Sequence, residues 1–440
     1  MSTNTTTTGT RASIAMRYVL SRADFELDVD LEIPMRGITG VFGESGAGKT
    51  SLLRCIAGLE QPSSGRLVVD GNVWQDTASR RSLPVHQRAI GYVFQEPRLF
   101  SHLTVHRNLD YGRRRAQERA VNVDFEQIVA LLGLESMLQR MPDALSGGEA
   151  QRVSIARALL CEPRFVLMDE PLAALDKARK AEILQFLDRL HAELSVPIIY
   201  VSHNIGEISA LCDQLLVMQR GRVIADGDLQ SVLMRTDLPA LAGEEAGSVV
   251  VAKVASYDAE YGLTCVRFSG GELFVSGRHE PGSELRVRIR ANDVSLCRVR
   301  PTGTTILNIL PAVVEAIFPD AEATVLVRLS LGSDLLTARI TRRSSADLNL
   351  QVGDEVFAQI KSVSVRPLFS DGAAPVIVGK NSQARNVHAL VVHDAETGSV
   401  DQLRYVAVHV ASPCDFSPAA IKPVLPPPNI FIRRGAMLAK

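Results

Sequence analysis

Three clusters of residues in this chain have the types and the spacing for phosphate chemistry. The first is Gly43-Glu44-Ser45-Gly46-Ala47-Gly48-Lys49-Thr50-Ser51. Glycines at 43, 46 and 48 let the backbone bend so that successive N–H groups face one anion. Lys49 supplies a point charge for the outer phosphates of a nucleotide, and Thr50 a hydroxyl for Mg²⁺. The second cluster is Asp169-Glu170. Asp169 is suited to orient Mg²⁺ and its waters, and Glu170 to polarise a water against a terminal phosphate. The third is Leu145-Ser146-Gly147-Gly148-Glu149, which sets a hydroxyl and two glycines at a helix N-terminus, again an anion site. Ser146 with Glu149 three residues later also reads as a capping box, and both roles use the same geometry.

The flanking segments are of the kind that would position these clusters. Ile38-Thr39-Gly40-Val41-Phe42 reads as a buried strand entering the glycine loop, and Ser51 to Ile56 continues it as a helix. Arg164 to Met168 is a near-continuous apolar run, expected of a parallel strand buried on both faces and releasing Asp169 into a ligand crevice. Pro171-Leu172-Ala173-Ala174-Leu175-Asp176 follows directly. Pro197 to Val201 is a further buried-strand run that ends in Ser202-His203-Asn204. Val153 to Leu160 has helical apolar periodicity behind the Ser-Gly-Gly turn.

Taken in order, the glycine loop, Gln95 in Tyr92-Val93-Phe94-Gln95, Leu145 to Arg152, Asp169-Glu170, Asp176 and His203 resemble the ATP-binding subunit of an ABC transporter. The resemblance covers roughly the first half of the chain. It implies ATP and Mg²⁺ as cofactors, with residues 43–51 on the phosphates and Thr50, Gln95 and Asp169 at the metal. It further implies that Gln95 senses a membrane partner and that Glu170 is the general base. Asp176 would lie at a dimer seam, and His203 would contact the γ-phosphate. Ser146, Gly147 and Gly148 would bind ATP held by a second copy of the chain, so that ATP closes the pair and hydrolysis releases it. An aromatic for adenine stacking stays unassigned: Tyr18 and Phe25 are available, but the alternation of Phe25 to Leu31 reads as an amphipathic strand whose apolar members face a core.

The chain has 440 residues, 46% of them hydrophobic, with a formal charge of −1, which suits two or three globular domains and not a strongly nucleic-acid-seeking surface. No apolar stretch is long enough to cross a bilayer. Met1 to Thr10 is Ser/Thr/Asn-rich with no apolar centre, so residues 1–12 are expected to be a disordered leader. The cysteines at 55, 161, 212, 265, 297 and 414 have no metal or redox spacing and read as small core residues in a reducing cytosol. Transport would then fall to separate membrane permease subunits, fed indirectly by an external oxyanion-binding protein. The chain itself would sit on the cytoplasmic face of the membrane as a peripheral protein.

The expected fold is an α/β P-loop ABC ATPase domain over 13–236, a linker over 237–247, and an all-β domain over 248–366. Residues 367–440 are expected to be a loosely ordered tail. The β domain shows short alternating runs such as Leu285-Arg286-Val287-Arg288-Ile289-Arg290, separated by Gly and Pro. Leu335 to Thr341, Leu348 to Val363 and Arg290 to Leu296 resemble the oligobinding-like barrel of molybdate-binding proteins and molybdate importer ATPases, as does Gly91 to Phe100 in the ATPase half. That resemblance implies molybdate as cargo. Thr337, Lys361 and Ser362 are then candidates for holding a tetrahedral oxyanion. Extension of a homodimer interface is the alternative role for the barrel. Another cargo (sulfate, iron or sugar) would keep the same ATPase chemistry. A non-transport ABC ATPase would ordinarily carry a coiled-coil insertion or a second cassette, and a stand-alone molybdate binder would leave Glu170 and His203 unexplained.

Overall fold

A computed structural model describes residues 12–361, except 23, 115–123, 174, 195, 236, 239–240 and 242–245, together with 366–367. The expected leader, apart from Ala12, lies outside the described residues, as do Ser362, Cys414 and the tail beyond Pro367.

A six-stranded sheet forms the centre of the ATPase lobe. Its order is Arg222–Asp228, Gln214–Gln219, Ile38–Phe42, Ile198–Ser202, Phe165–Asp169 and Ile90–Val93. The last five strands run parallel, and Arg222–Asp228 is added as an antiparallel hairpin. Ile38–Phe42, Phe165–Asp169 and Ile198–Ser202 are buried along their whole length, as their continuous apolar runs require. Successive side chains of one strand feed opposite cores. Phe165 and Leu167 pack under the five-stranded antiparallel sheet built on Ser13–Arg22 and Phe25–Pro34, and Val166 and Met168 pack against the helices of the other face. Because the inner strands are parallel, the segments after Phe42, Val93, Asp169 and Ser202 all leave the sheet at one edge.

The stretch read as a linker is partly core: Leu238 and Leu241 join the ATPase-lobe cluster, and the next strand already begins at Gly247. From there the chain forms two five-stranded antiparallel sheets around one apolar core. One has the order Gly271–Ser276, Leu263–Phe268, Gly247–Asp258, Glu284–Arg290, Arg366–Pro367. The other has the order Val294–Cys297, Glu355–Ile360, Asn308–Pro319, Thr324–Leu331, Asp334–Thr341. Burial along Glu284–Arg290 alternates, with Leu285, Val287 and Ile289 inside and the intervening Arg286 and Arg288 half-exposed on the outer face. The five described cysteines are free thiols. Among the described residues no helix is long and apolar enough to cross a membrane.

Candidate nucleotide site

The glycine loop lies between a buried strand and the helix Lys49–Ala57. Gly43, Gly46 and Gly48 adopt φ of 157°, 81° and 99°, and at Gly43 and Gly48 there is also no room for a side chain. A Cβ on Gly43 would stand 2.3 Å from the Met218 carbonyl oxygen, and one on Gly48 would stand 2.7 Å from the Phe25 ring. Gly48 is the helix N-cap and brings no capping side chain, so the first helical N–H groups are left for a ligand. Lys49 is buried, and its ammonium donates to the carbonyls of Gly43 (2.7 Å) and Glu44 (2.9 Å) within the loop. Burial lowers its pKa, and the neighbouring Glu170 and Asp169 partly oppose that shift.

The carboxylates meet the loop from the adjacent strand end. Thr50 Oγ1 donates to Asp169 Oδ1 at 2.9 Å, and Tyr92 Oη donates to Asp169 Oδ2 at 3.3 Å. Burial raises the Asp169 pKa, and these two hydrogen bonds only partly offset it. A buried carboxylate hydrogen-bonded to a threonine hydroxyl is a hard-oxygen donor set that fits Mg²⁺, which takes one or two protein oxygens and completes its shell with phosphates and water. Gln95, the third metal candidate, lies exposed in the bend just past Ile90–Val93, the strand paired with Phe165–Asp169. Glu170 follows with φ 44°, a left-handed conformation that is uncommon outside glycine, held by its N–H to the Val201 carbonyl (3.0 Å). One oxygen of Glu170 lies 2.9 Å from His203 Nδ1, and the other lies 3.9 Å from Lys49 Nζ.

Groups that sequence reading did not single out hold His203 in place. Buried Glu207 accepts from Tyr200 Oη (3.0 Å), Ser202 Oγ (2.8 Å) and Lys180 Nζ (2.9 Å). Asn204 caps the helix Ile205–Leu211 by accepting from the N–H groups of Gly206 and Glu207. The residues on either side of His203 in the chain, Ser202 and Asn204, are therefore each held by hydrogen bonds. The Arg220-Gly221 turn is a second missed element. Both residues have positive φ, as a tight hairpin needs, and Gly221 N–H donates to the Ala47 carbonyl in the glycine loop. The only sequence signal was the dipeptide itself, since its partner lies far upstream.

Of the remaining ATP-site candidates, Ser146 caps the helix Gly147–Leu159 with both bonds of a capping box. Gly147 and Gly148 lie against Leu175 and Arg179. Asp176 is exposed and accepts from the Arg179 N–H. Glu44, Ser45 and Gly46 are exposed at the tip of the glycine loop, whereas Ala47 is buried. Tyr18 is wholly buried with its hydroxyl on the Cys55 carbonyl (3.4 Å), so its ring belongs to the core, whereas Phe25 is half-buried with its ring against Gly48 of the glycine loop.

Two of the oxyanion candidates, Thr337 and Lys361, are among the described residues. Thr337 is buried at the seam with the ATPase lobe, its hydroxyl on Met234 Sδ and its N–H donating to Ser248 Oγ. Lys361 is exposed after Glu355–Ile360, which is separated from the Thr337 strand by two others in the sheet order. The sequence placed both by type alone, and the hydroxyl at 337 contacts the ATPase lobe at Met234.

An ABC transporter model matches residues 27–173, and a TOBE domain model matches residues 304–367. The molybdenum import ATP-binding protein ModC 1 of Azotobacter vinelandii is 49% identical over 354 residues, which is 80% of this chain and 98% of its own length. The corresponding proteins of Thiobacillus denitrificans and Methylococcus capsulatus are 51% and 50% identical over 80% of this chain and 98% and 99% of their own lengths. Similarity at this level, running from the glycine loop through the β region, makes the family plain: the chain belongs to the molybdenum import ATP-binding proteins of the ABC transporters.

Proposed function

We propose that this chain is the ATP-hydrolysing subunit that powers molybdate import through a separate membrane permease, working as two copies on the inner face of the membrane. The observation that carries the chemistry is the grouping of Lys49, Glu170 and His203 around one point, with Glu170 within 2.9 Å of the imidazole and 3.9 Å of the ammonium. The loop N–H groups and Lys49 hold the phosphates. Glu170 accepts the proton of the attacking water, and His203 keeps that carboxylate aimed at the γ-phosphate. Thr50, Asp169 and Gln95 would hold Mg²⁺, which when bound would neutralise phosphate charge. Ser146, Gly147 and Gly148 of the second copy close over the same nucleotide, and Asp176 lies at that seam. Gln95, exposed beside the metal carboxylate, links this site to the permease.

The cargo follows the relatives, which are named for molybdenum import and matched over nearly their whole length. The test is Glu170→Gln: ATP still binds while turnover falls by about 10²–10⁴, the range for loss of a positioned general base. Retained hydrolysis would show that another group is the base. ATPase activity of the permease complex with molybdate, tungstate and sulfate then reads the cargo and the barrel together. Inhibition by the first two alone supports an oxyanion-sensing barrel, and indifference to all three leaves the barrel an interface element.

A further inference from the structure

His203 stands at one end of a continuous segment whose other end is held by the β region. The segment runs through the helix Ile205–Leu211 to its C-cap Cys212 and on to Asp213. Arg286, on the outer face of Glu284–Arg290, donates to the Cys212 carbonyl at 2.8 Å and to Asp213 Oδ1 at 2.5 Å. Asp213 in turn accepts from the Ile38 N–H through Oδ2 (3.0 Å) and donates its own N–H to the Ile38 carbonyl (2.8 Å). Ile38 is the first residue of the strand that enters the glycine loop. Two residues along the same face of the β strand, Arg288 Nη1 lies 3.4 Å from where a Cβ on Gly206 would be, at the start of the same helix. The arginine pair thus lies along the whole length of the element that follows His203, and Arg286 also pins the base of the nucleotide-loop strand. The Arg286–Asp213 pair is partly withdrawn from solvent, with 29% and 36% of the side chains exposed, so its bonds are less screened than those of a surface pair.

We propose that Arg286 is a positioning residue for ATP hydrolysis: through Asp213 and the Cys212 carbonyl, the β region of the same chain sets where His203 and the nucleotide loop stand relative to each other. An ion pair that merely fastened two lobes would have no need of the backbone at the end of the His203 helix or of the first residue of the loop strand. Here the guanidinium engages the first directly and reaches the second through Asp213. The proposal rests on His203 acting on the γ-phosphate as described above.

The experiment uses the full chain assembled with its permease. Arg286→Ala should lower kcat about fivefold to tenfold with KM for ATP held within about twofold, a tenfold loss corresponding to about 1.4 kcal/mol of barrier. Arg286→Lys should recover part of the loss, and Asp213→Asn should reproduce it. His203→Ala serves as the reference. In that background Arg286→Ala should bring no further loss in single-turnover hydrolysis, because its effect passes through the imidazole. Additive losses, or an unchanged kcat in Arg286→Ala beside an impaired His203→Ala, would overturn the positioning role. So would a fall in kcat accompanied by equal changes in KM and thermal stability, which marks a tether alone. An unimpaired His203→Ala would instead bring down the reading of His203 on which this one stands.

Discussion

Two helix N-termini carry the phosphate-binding motifs of this molecule, and the chain finishes them in opposite ways. At Lys49–Ala57 the cap is Gly48, with φ 99° and no side chain to accept from the first turn. At Gly147–Leu159 the cap is Ser146, whose hydroxyl accepts from the Glu149 N–H while the Glu149 carboxylate accepts from the Ser146 N–H at 2.6 Å. The first end has no side-chain acceptor for its orphan donors and sets a buried lysine among them; at the second the capping box takes up only the Ser146 and Glu149 N–H groups, on a half-exposed turn. The buried lysine therefore favours the glycine loop for anion binding within one copy of the chain, and the Ser-Gly-Gly turn is a capped, half-exposed surface that can meet a nucleotide from outside.

The sharpest way to break this contrast is to remove the lysine. Lys49→Ala should weaken ATP binding by about 2–5 kcal/mol, the cost of truncating one partner of a buried, hydrogen-bonded charge pair. Isothermal titration of a single copy reads it directly, and unchanged affinity would move the phosphate site elsewhere. Ser146→Ala should cost about 1 kcal/mol of stability, the usual loss of a cap, and leave ATP affinity of the single copy unchanged. If it abolished binding in the single copy, the two ends would not be divided as argued.

The smallest effect is a pH dependence at the metal carboxylate. Burial raises the native pKa of Asp169 above its ordinary value, so the folded state holds that proton more tightly than the unfolded chain. Stability in the absence of nucleotide is thus lost as pH rises from the ordinary carboxylate value through the raised one. Asp169→Asn removes the buried charge and should melt at a higher temperature than the parent at neutral pH. That advantage should shrink as pH falls toward the ordinary carboxylate value, while Mg²⁺-dependent turnover is lost. An advantage that grew on acidification would reverse the assigned direction.

Much of the nucleotide end was legible because its signals are local. Continuous apolar runs before Gly43, Asp169 and His203 announced buried parallel strands, and parallel strands release their last residues at a common edge. The supporting contacts were not legible. Tyr92 reaches Asp169 across 77 positions, and Glu207 is satisfied by Lys180 from a preceding helix 27 positions away. Gly221 must be glycine because a Cβ would stand 1.8 Å from the Glu26 carbonyl oxygen, an approach between segments nearly two hundred positions apart in the chain. In the β region, residue type did not reveal that the Thr337 hydroxyl lies against Met234 Sδ of the ATPase lobe.

The sequence by itself determined which residues could bind and cleave a nucleotide, since glycine freedom, apolar periodicity and paired carboxylates act over a few positions. Only the tertiary structure decided how those residues are held and which part of the chain holds them. Glu170 is strained into a left-handed backbone, Ser202 beside His203 is held by Glu207, and Arg286 of the β region ties the His203 helix through Asp213 to the base of the loop strand. Those constraints arise from packing and desolvation between distant segments, and a linear pattern carries neither.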